Sequence, residues 1–227
     1  SFAADPTRGS FILMMLAVAV GGSLTLFALR ASNVASFSRF AFYSRETALL
    51  ICNIILVIAT VTVLLGTIYP LIIDAAGLGK ISVGPPYFNA VFVPIMCLLF
   101  LIMGIGPLIR WKKAKKGELR KQITKPSIAS IVLGVASPFV LGGEFDWLVA
   151  LGMSLAFWVA LVVIKDLRNQ AQLKSGGYQF SRLTLSQWGM TIAHMGIAVT
   201  VVGVTLVSTY ENEVNVKMFE NQTVQVS

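Results

Sequence analysis

One residue stands apart as a candidate for chemistry: His194, the only histidine, set in Gln187-Trp188-Gly189-Met190-Thr191-Ile192-Ala193-His194-Met195-Gly196. Imidazole titrates near neutrality, binds metals well, and is a common axial ligand of haem iron. A histidine in an apolar run is costly to bury without a partner, so it reads either as an iron ligand or as a group hydrogen-bonded between helices. Around it Gly189, Gly196 and Gly203 recur every seven residues, a smooth stripe suited to helix contact or to a flat ligand face. Met190 and Met195 are soft side chains that could meet iron or simply fill space. Asn53 is expected to bond across to another helix, and Arg45 could pair with Glu46. No phosphate-cradling glycine loop, serine nucleophile constellation or carboxylate pair accompanies them, which leaves hydrolysis and phosphoryl transfer without support. No Asp or Glu is expected inside a membrane span either, which disfavours a proton-coupled carrier.

The elements that must position these residues are set by lipid. The chain of 227 residues is 56% apolar and 12% charged, a balance that excludes a soluble domain. A bilayer core about 30 Å thick takes roughly 20 apolar residues in a helix. Runs of that order predict six transmembrane helices, near 10–29, 47–69, 88–108, 127–143, 147–164 and 186–208, with the fourth and fifth short and joined as a tight hairpin. If the loops alternate sides, 15 of the 18 basic residues share one side: Arg30, Arg39, Arg45, Arg110, Lys112, Lys113, Lys115, Lys116, Arg120, Lys121, Lys125, Lys165, Arg168, Lys174 and Arg182. The positive-inside bias makes that side cytoplasmic. The net charge of +8 is thereby explained by short loops flanking spans, not by nucleic acid. Cys52 and Cys97 fall inside spans with no Cys-x-x-Cys pair and read as packing residues.

Along the chain, Asp5-Pro6 predicts the start of the first helix. Residues 31–46, with Phe37, Phe40, Phe42 and Tyr43 among Ser and Arg, suit an amphipathic connector at the inner headgroups. Tyr69-Pro70 is expected to end the second helix, and Gly84-Pro85-Pro86-Tyr87 to lead stiffly into the third. Pro94 and Pro138 inside later helices should be covered by neighbours. Beyond Ser208 the alternation of Val214, Val216 and Met218 with polar residues, then of Val224 and Val226, predicts the start of an extracytoplasmic β element over 209–227. The fold class expected is therefore an all-α integral membrane protein with a truncated periplasmic β element at its C-terminus. Beginning at Ser1 without a signal region, the chain reads as a fragment of a longer polypeptide.

Several strings together resemble the CcmF/NrfE family of cytochrome c haem lyase subunits, in its C-terminal half: Phe2-Ala3-Ala4-Asp5-Pro6-Thr7-Arg8-Gly9, Phe42-Tyr43-Ser44-Arg45-Glu46, Lys80-Ile81-Ser82-Val83-Gly84-Pro85-Pro86-Tyr87-Phe88-Asn89, and Ala193-His194-Met195-Gly196. The resemblance implies a multi-pass protein of the bacterial inner membrane with a periplasmic active face. It would receive haem from the chaperone CcmE and attach it by thioether bonds to the Cys-x-x-Cys-His motif of apocytochrome c. Implied partners are CcmE, CcmH, a CcmI-type subunit and the apocytochrome. A permanent b-type haem is implied as cofactor, with His194 as one axial ligand and the other ligand outside this chain. Ser44, Arg45, Glu46, Gly84, Pro85, Pro86, Tyr87 and Asn89 would be motif residues without an assigned role. Such a fragment is not expected to catalyse ligation alone. A membrane permease and a structural scaffold are the alternatives.

Overall fold

The structure is a computed structural model; it describes residues 6–34, 44–75, 78–79, 81, 83–109, 116–141, 145–173 and 176–211. Six α-helices follow in order: α1 Pro6–Val34, α2 Arg45–Ala75, α3 Pro85–Ile105, α4 Lys116–Leu141, α5 Trp147–Ala171 and α6 Leu185–Tyr210. Short 3-10 turns follow α3 at Gly106–Leu108 and precede α6 at Phe180–Arg182. All six helices are long and apolar enough to cross a membrane, the number expected.

The helices overrun the apolar runs that announce them. α4 and α5, expected to be short, have 26 and 25 residues because Lys116–Lys125 and Lys165–Ala171 continue the helical backbone into polar sequence. α2, with 31 residues, is long enough at about 46 Å to reach through both headgroup layers. It also passes through Pro70 instead of stopping there. A helical proline loses one backbone bond and crowds the carbonyl four residues back, and that position here is Gly66. Of the expected connector, residues 31–34 close α1, Ser44 precedes α2 and residues 45–46 open it; residues 35–43 lie outside the described residues. The β element is corrected at its near edge, since Thr209 and Tyr210 still belong to α6. Its remaining residues from 212 onward lie outside the described ones, among which there is no strand, only a single bridge between Gln172 and Tyr178.

The chain divides into two compact units. In one, comprising residues 1–42 and 53–96, Pro85 and Pro86 fill the first turn of α3, where a missing N–H costs nothing. The Tyr87 ring then lies over Gly66 of α2, so close that a Cβ there would come within 2.6 Å of Tyr87 Cε1. Pro94 is exposed, contrary to expectation, as is Asn53, which makes no side-chain hydrogen bond among the described residues.

The second unit comprises residues 43–52 and 97–227. α5 runs between α4 and α6, and its buried Trp158, Val159, Val162 and Val163 form a core with Leu108 and Ala198. Small residues let the backbones approach: a Cβ on Gly134 of α4 would lie 2.6 Å from the Ser154 backbone of α5, and one on Gly152 of α5 would lie 2.2 Å from Thr205 Oγ1 of α6. Pro138 of α4 is fully buried, as expected. The Trp158 indole N–H donates to the Leu101 carbonyl at 3.2 Å, tying α5 to the end of α3.

Candidate functional site

The start of α6 is fixed by a capping box. Thr184 Oγ1 accepts from the Gln187 amide at 3.3 Å, while Gln187 Oε1 accepts from the Thr184 amide at 2.7 Å. That sets the helical register of everything after it. Two turns on, the half-buried His194 places Nδ1 at 2.8 Å from the carbonyl oxygen of Met190. A carbonyl only accepts, so Nδ1 donates, and in the tautomer this bond selects the lone pair lies at Nε2. The ring bonds to its own helix, not to a neighbouring side chain, and Nε2 makes no hydrogen bond among the described residues.

At 3.6 residues per turn, His194 lies roughly 140–180° around α6 from Gly189, Gly196 and Gly203. The glycine stripe therefore faces away from the imidazole. It is exposed, and a Cβ at any of the three glycines would meet no atom within 4 Å. The two methionines also part company: Met195 packs against the core beside Ala198, while the Met190 sulfur accepts a hydrogen bond from Arg45 Nη2 at 3.3 Å.

Arg45 is delivered by the first turn of α2. Ser44, buried, caps that helix by accepting from the Thr47 amide at 3.2 Å, which accounts structurally for the serine of Ser44-Arg45-Glu46. Glu46 is half-buried in the same turn. On the α5 side stands Asp166, 7% exposed, whose Oδ2 accepts from Gln170 Nε2 at 2.5 Å. Arg45, Asp166, Gln170, Ser186, Gln187 and Met190 line an open cleft of about 460 Å³. α2 and α6 contribute their N-terminal ends and α5 its C-terminal end, so the cleft lies toward the side expected to be cytoplasmic.

Asp166 lies past the expected end of the fifth span, in the last two turns of α5, because the helix continues beyond residue 164. The signal was present: Asp166 stands three, four and seven residues after Val163, Val162 and Val159, all buried, so it belongs to the same inward stripe. The other motif residues serve the other unit. The Gly84 carbonyl accepts from the Tyr87 amide at 3.1 Å in the turn opening α3, Tyr87 covers Gly66, and Asn89 is exposed. Cys52 and Cys97 are free and half-buried.

Among the described residues no three His, Cys, Asp or Glu side chains come together to hold a metal ion. One imidazole cannot retain a bare ion. It suffices as a single axial ligand where a macrocycle supplies the other donors, and the free Nε2 fits that use.

No protein-family model matches the chain. It is 44% identical over its whole length to the cytochrome c-type biogenesis protein CcmF of Pseudomonas aeruginosa, and 37% identical over its whole length to that of Escherichia coli K12. Over 98% of the chain it is 32% identical to the cytochrome c-type biogenesis protein NrfE of Haemophilus influenzae. In each case it covers 34% of the relative, so the chain spans about a third of the length of the curated relatives it matches. A solved structure titled cytochrome c heme lyase CcmF shares the fold with a TM-score of 0.64 at 24% identity, over 91% of this chain and 30% of that one.

Proposed function

Because the chain belongs to the CcmF/NrfE family of cytochrome c-type biogenesis proteins, we propose that it forms the part of a haem lyase that supplies one axial ligand, His194, to a b-type haem held in the membrane. The observation that carries this is the imidazole itself, half-buried in α6 with Nδ1 bonded to the Met190 carbonyl and Nε2 left to ligate. Backbone bonding of one ring nitrogen is the usual way a ligating histidine is oriented and its tautomer fixed. As the family resemblance implies, the opposite ligand comes from outside this chain.

In this reading the protein is a multi-pass component of the bacterial inner membrane whose periplasmic face takes haem from CcmE. With CcmH and a CcmI-type subunit, it joins that haem to apocytochrome c. Each thioether forms as a cysteine thiol of the Cys-x-x-Cys-His motif adds across a vinyl group of the substrate haem. What a b-type haem would supply is one-electron chemistry, keeping the iron of the substrate haem reduced. The residues of this chain orient the imidazole (the Met190 carbonyl), set its register (Thr184 and Gln187), and place a charged cleft beside it (Arg45 and Asp166).

Replacing His194 by Ala in the intact polypeptide should abolish the low-spin haem absorption bands and lower the yield of cytochrome c; an unchanged spectrum removes the proposal. Normal cytochrome yield with the bands lost would instead favour the scaffold. Solute uptake into proteoliposomes would support the carrier reading instead.

A further inference from the structure

Met190 touches both parts of the site. Its carbonyl oxygen accepts from His194 Nδ1 at 2.8 Å, and its sulfur accepts from Arg45 Nη2 at 3.3 Å. One residue therefore spans the distance between imidazole and guanidinium, with Arg45 displaced from the ring by about one turn toward the start of α6. Beyond Arg45 the cleft opens onto Ser186, Gln187, Gln170 and Asp166.

Arg45 is not where its own helix would favour it. It occupies the first turn of α2, the positive end of the macrodipole, which disfavours a cation. Thioether sulfur is also a weak acceptor for a guanidinium. The guanidinium fork matches a carboxylate in shape and charge. Protohaem carries two carboxylates on one edge of the macrocycle. On the reading that His194 holds the iron, we propose that Arg45 is a positioning residue that binds a carboxylate of that porphyrin, with the Gln187 side-chain Nε2 as a second donor on the same side of the cleft. Asp166, engaged by Gln170, disfavours an anion on the α5 side of the cleft. The bound carboxylate thus sits on the α2 and α6 side, and the edge that bears it is turned toward the inner end of the helices. The rotation of the macrocycle about the bond to His194 is fixed in this way.

The test uses the intact polypeptide, stripped of haem in detergent and titrated with iron protoporphyrin IX or with its dimethyl ester, which lacks both carboxylates. Arg45→Ala should weaken binding of the free acid roughly ten- to a hundredfold, the worth of a charge-assisted hydrogen bond, and leave the ester unchanged. Arg45→Lys should fall between. Equal weakening of both forms would show a purely structural arginine, and no weakening of either would show no contact; both outcomes overturn the proposal. His194→Ala, run beside them, should lose both forms. If it binds both normally, the ligand assignment fails, while the contrast between acid and ester still decides whether Arg45 holds a carboxylate.

Discussion

Gly134→Ala is the substitution for which the packing of the second unit makes the sharpest claim. The added methyl would stand 2.0 Å from Ser154 Oγ and 2.6 Å from both the Cα and the amide nitrogen of Ser154. A side chain could rotate away, but the backbone of α5 cannot, so α4 and α5 must separate. Overpacking of this kind costs about 1–3 kcal/mol. Alanine recovers up to about 1 kcal/mol of helix propensity over glycine. The net loss expected is on the order of 1–2 kcal/mol, a factor of roughly 5–30 in the ratio of folded to unfolded protein. Titration from mild detergent into SDS, followed by circular dichroism, measures that ratio. Gly196→Ala is the matched control, because its methyl would meet nothing within 4 Å. Ser154→Ala as a second background removes the nearest atom but neither backbone atom, so it should fail to rescue Gly134→Ala. Equal stability of Gly134→Ala and Gly196→Ala would refute the close approach of α4 and α5.

Trp158→Phe removes the indole N–H bonded to the Leu101 carbonyl while keeping most of the buried ring. It should cost about 0.6 kcal/mol, and under about 2, in the same SDS titration. Thr184→Ala breaks one half of the capping box at α6 and should cost about 1 kcal/mol, with Thr184→Ser near wild type; equal stability of all three would show that the cap contributes nothing.

The pattern of apolar runs made the six helices legible, because lipid tolerates little else across its thickness. Their ends were not, since hydropathy falls where a helix leaves the hydrocarbon whereas backbone hydrogen bonding need not. That is why α5 ran seven residues past its expected end and carried Asp166 into the site. His194 could be singled out from residue type alone, because an imidazole among apolar neighbours has few roles. The partners of its two nitrogens and the position of Arg45 could not. Arg45 precedes His194 by 149 positions, and only packing of helix ends brings the two to a common neighbour.

The glycine stripe shows the converse limit. Its seven-residue spacing correctly implies one smooth face of α6, yet periodicity says nothing about which side of the helix a distant element occupies. Thr191 and Ala198, the two buried residues of α6, mark the side packed on α5, and His194 lies within roughly 60° of both. The three glycines lie on the opposite side. A porphyrin ligated by His194 would accordingly approach along the flank of α6 that carries Met190 and Gln187, not across the stripe. Bulky substitutions at Gly189, Gly196 or Gly203 would then leave the haem spectrum of the intact protein intact, whereas bulk at Gly152, where Thr205 seats α6 against α5, would displace the imidazole with its helix.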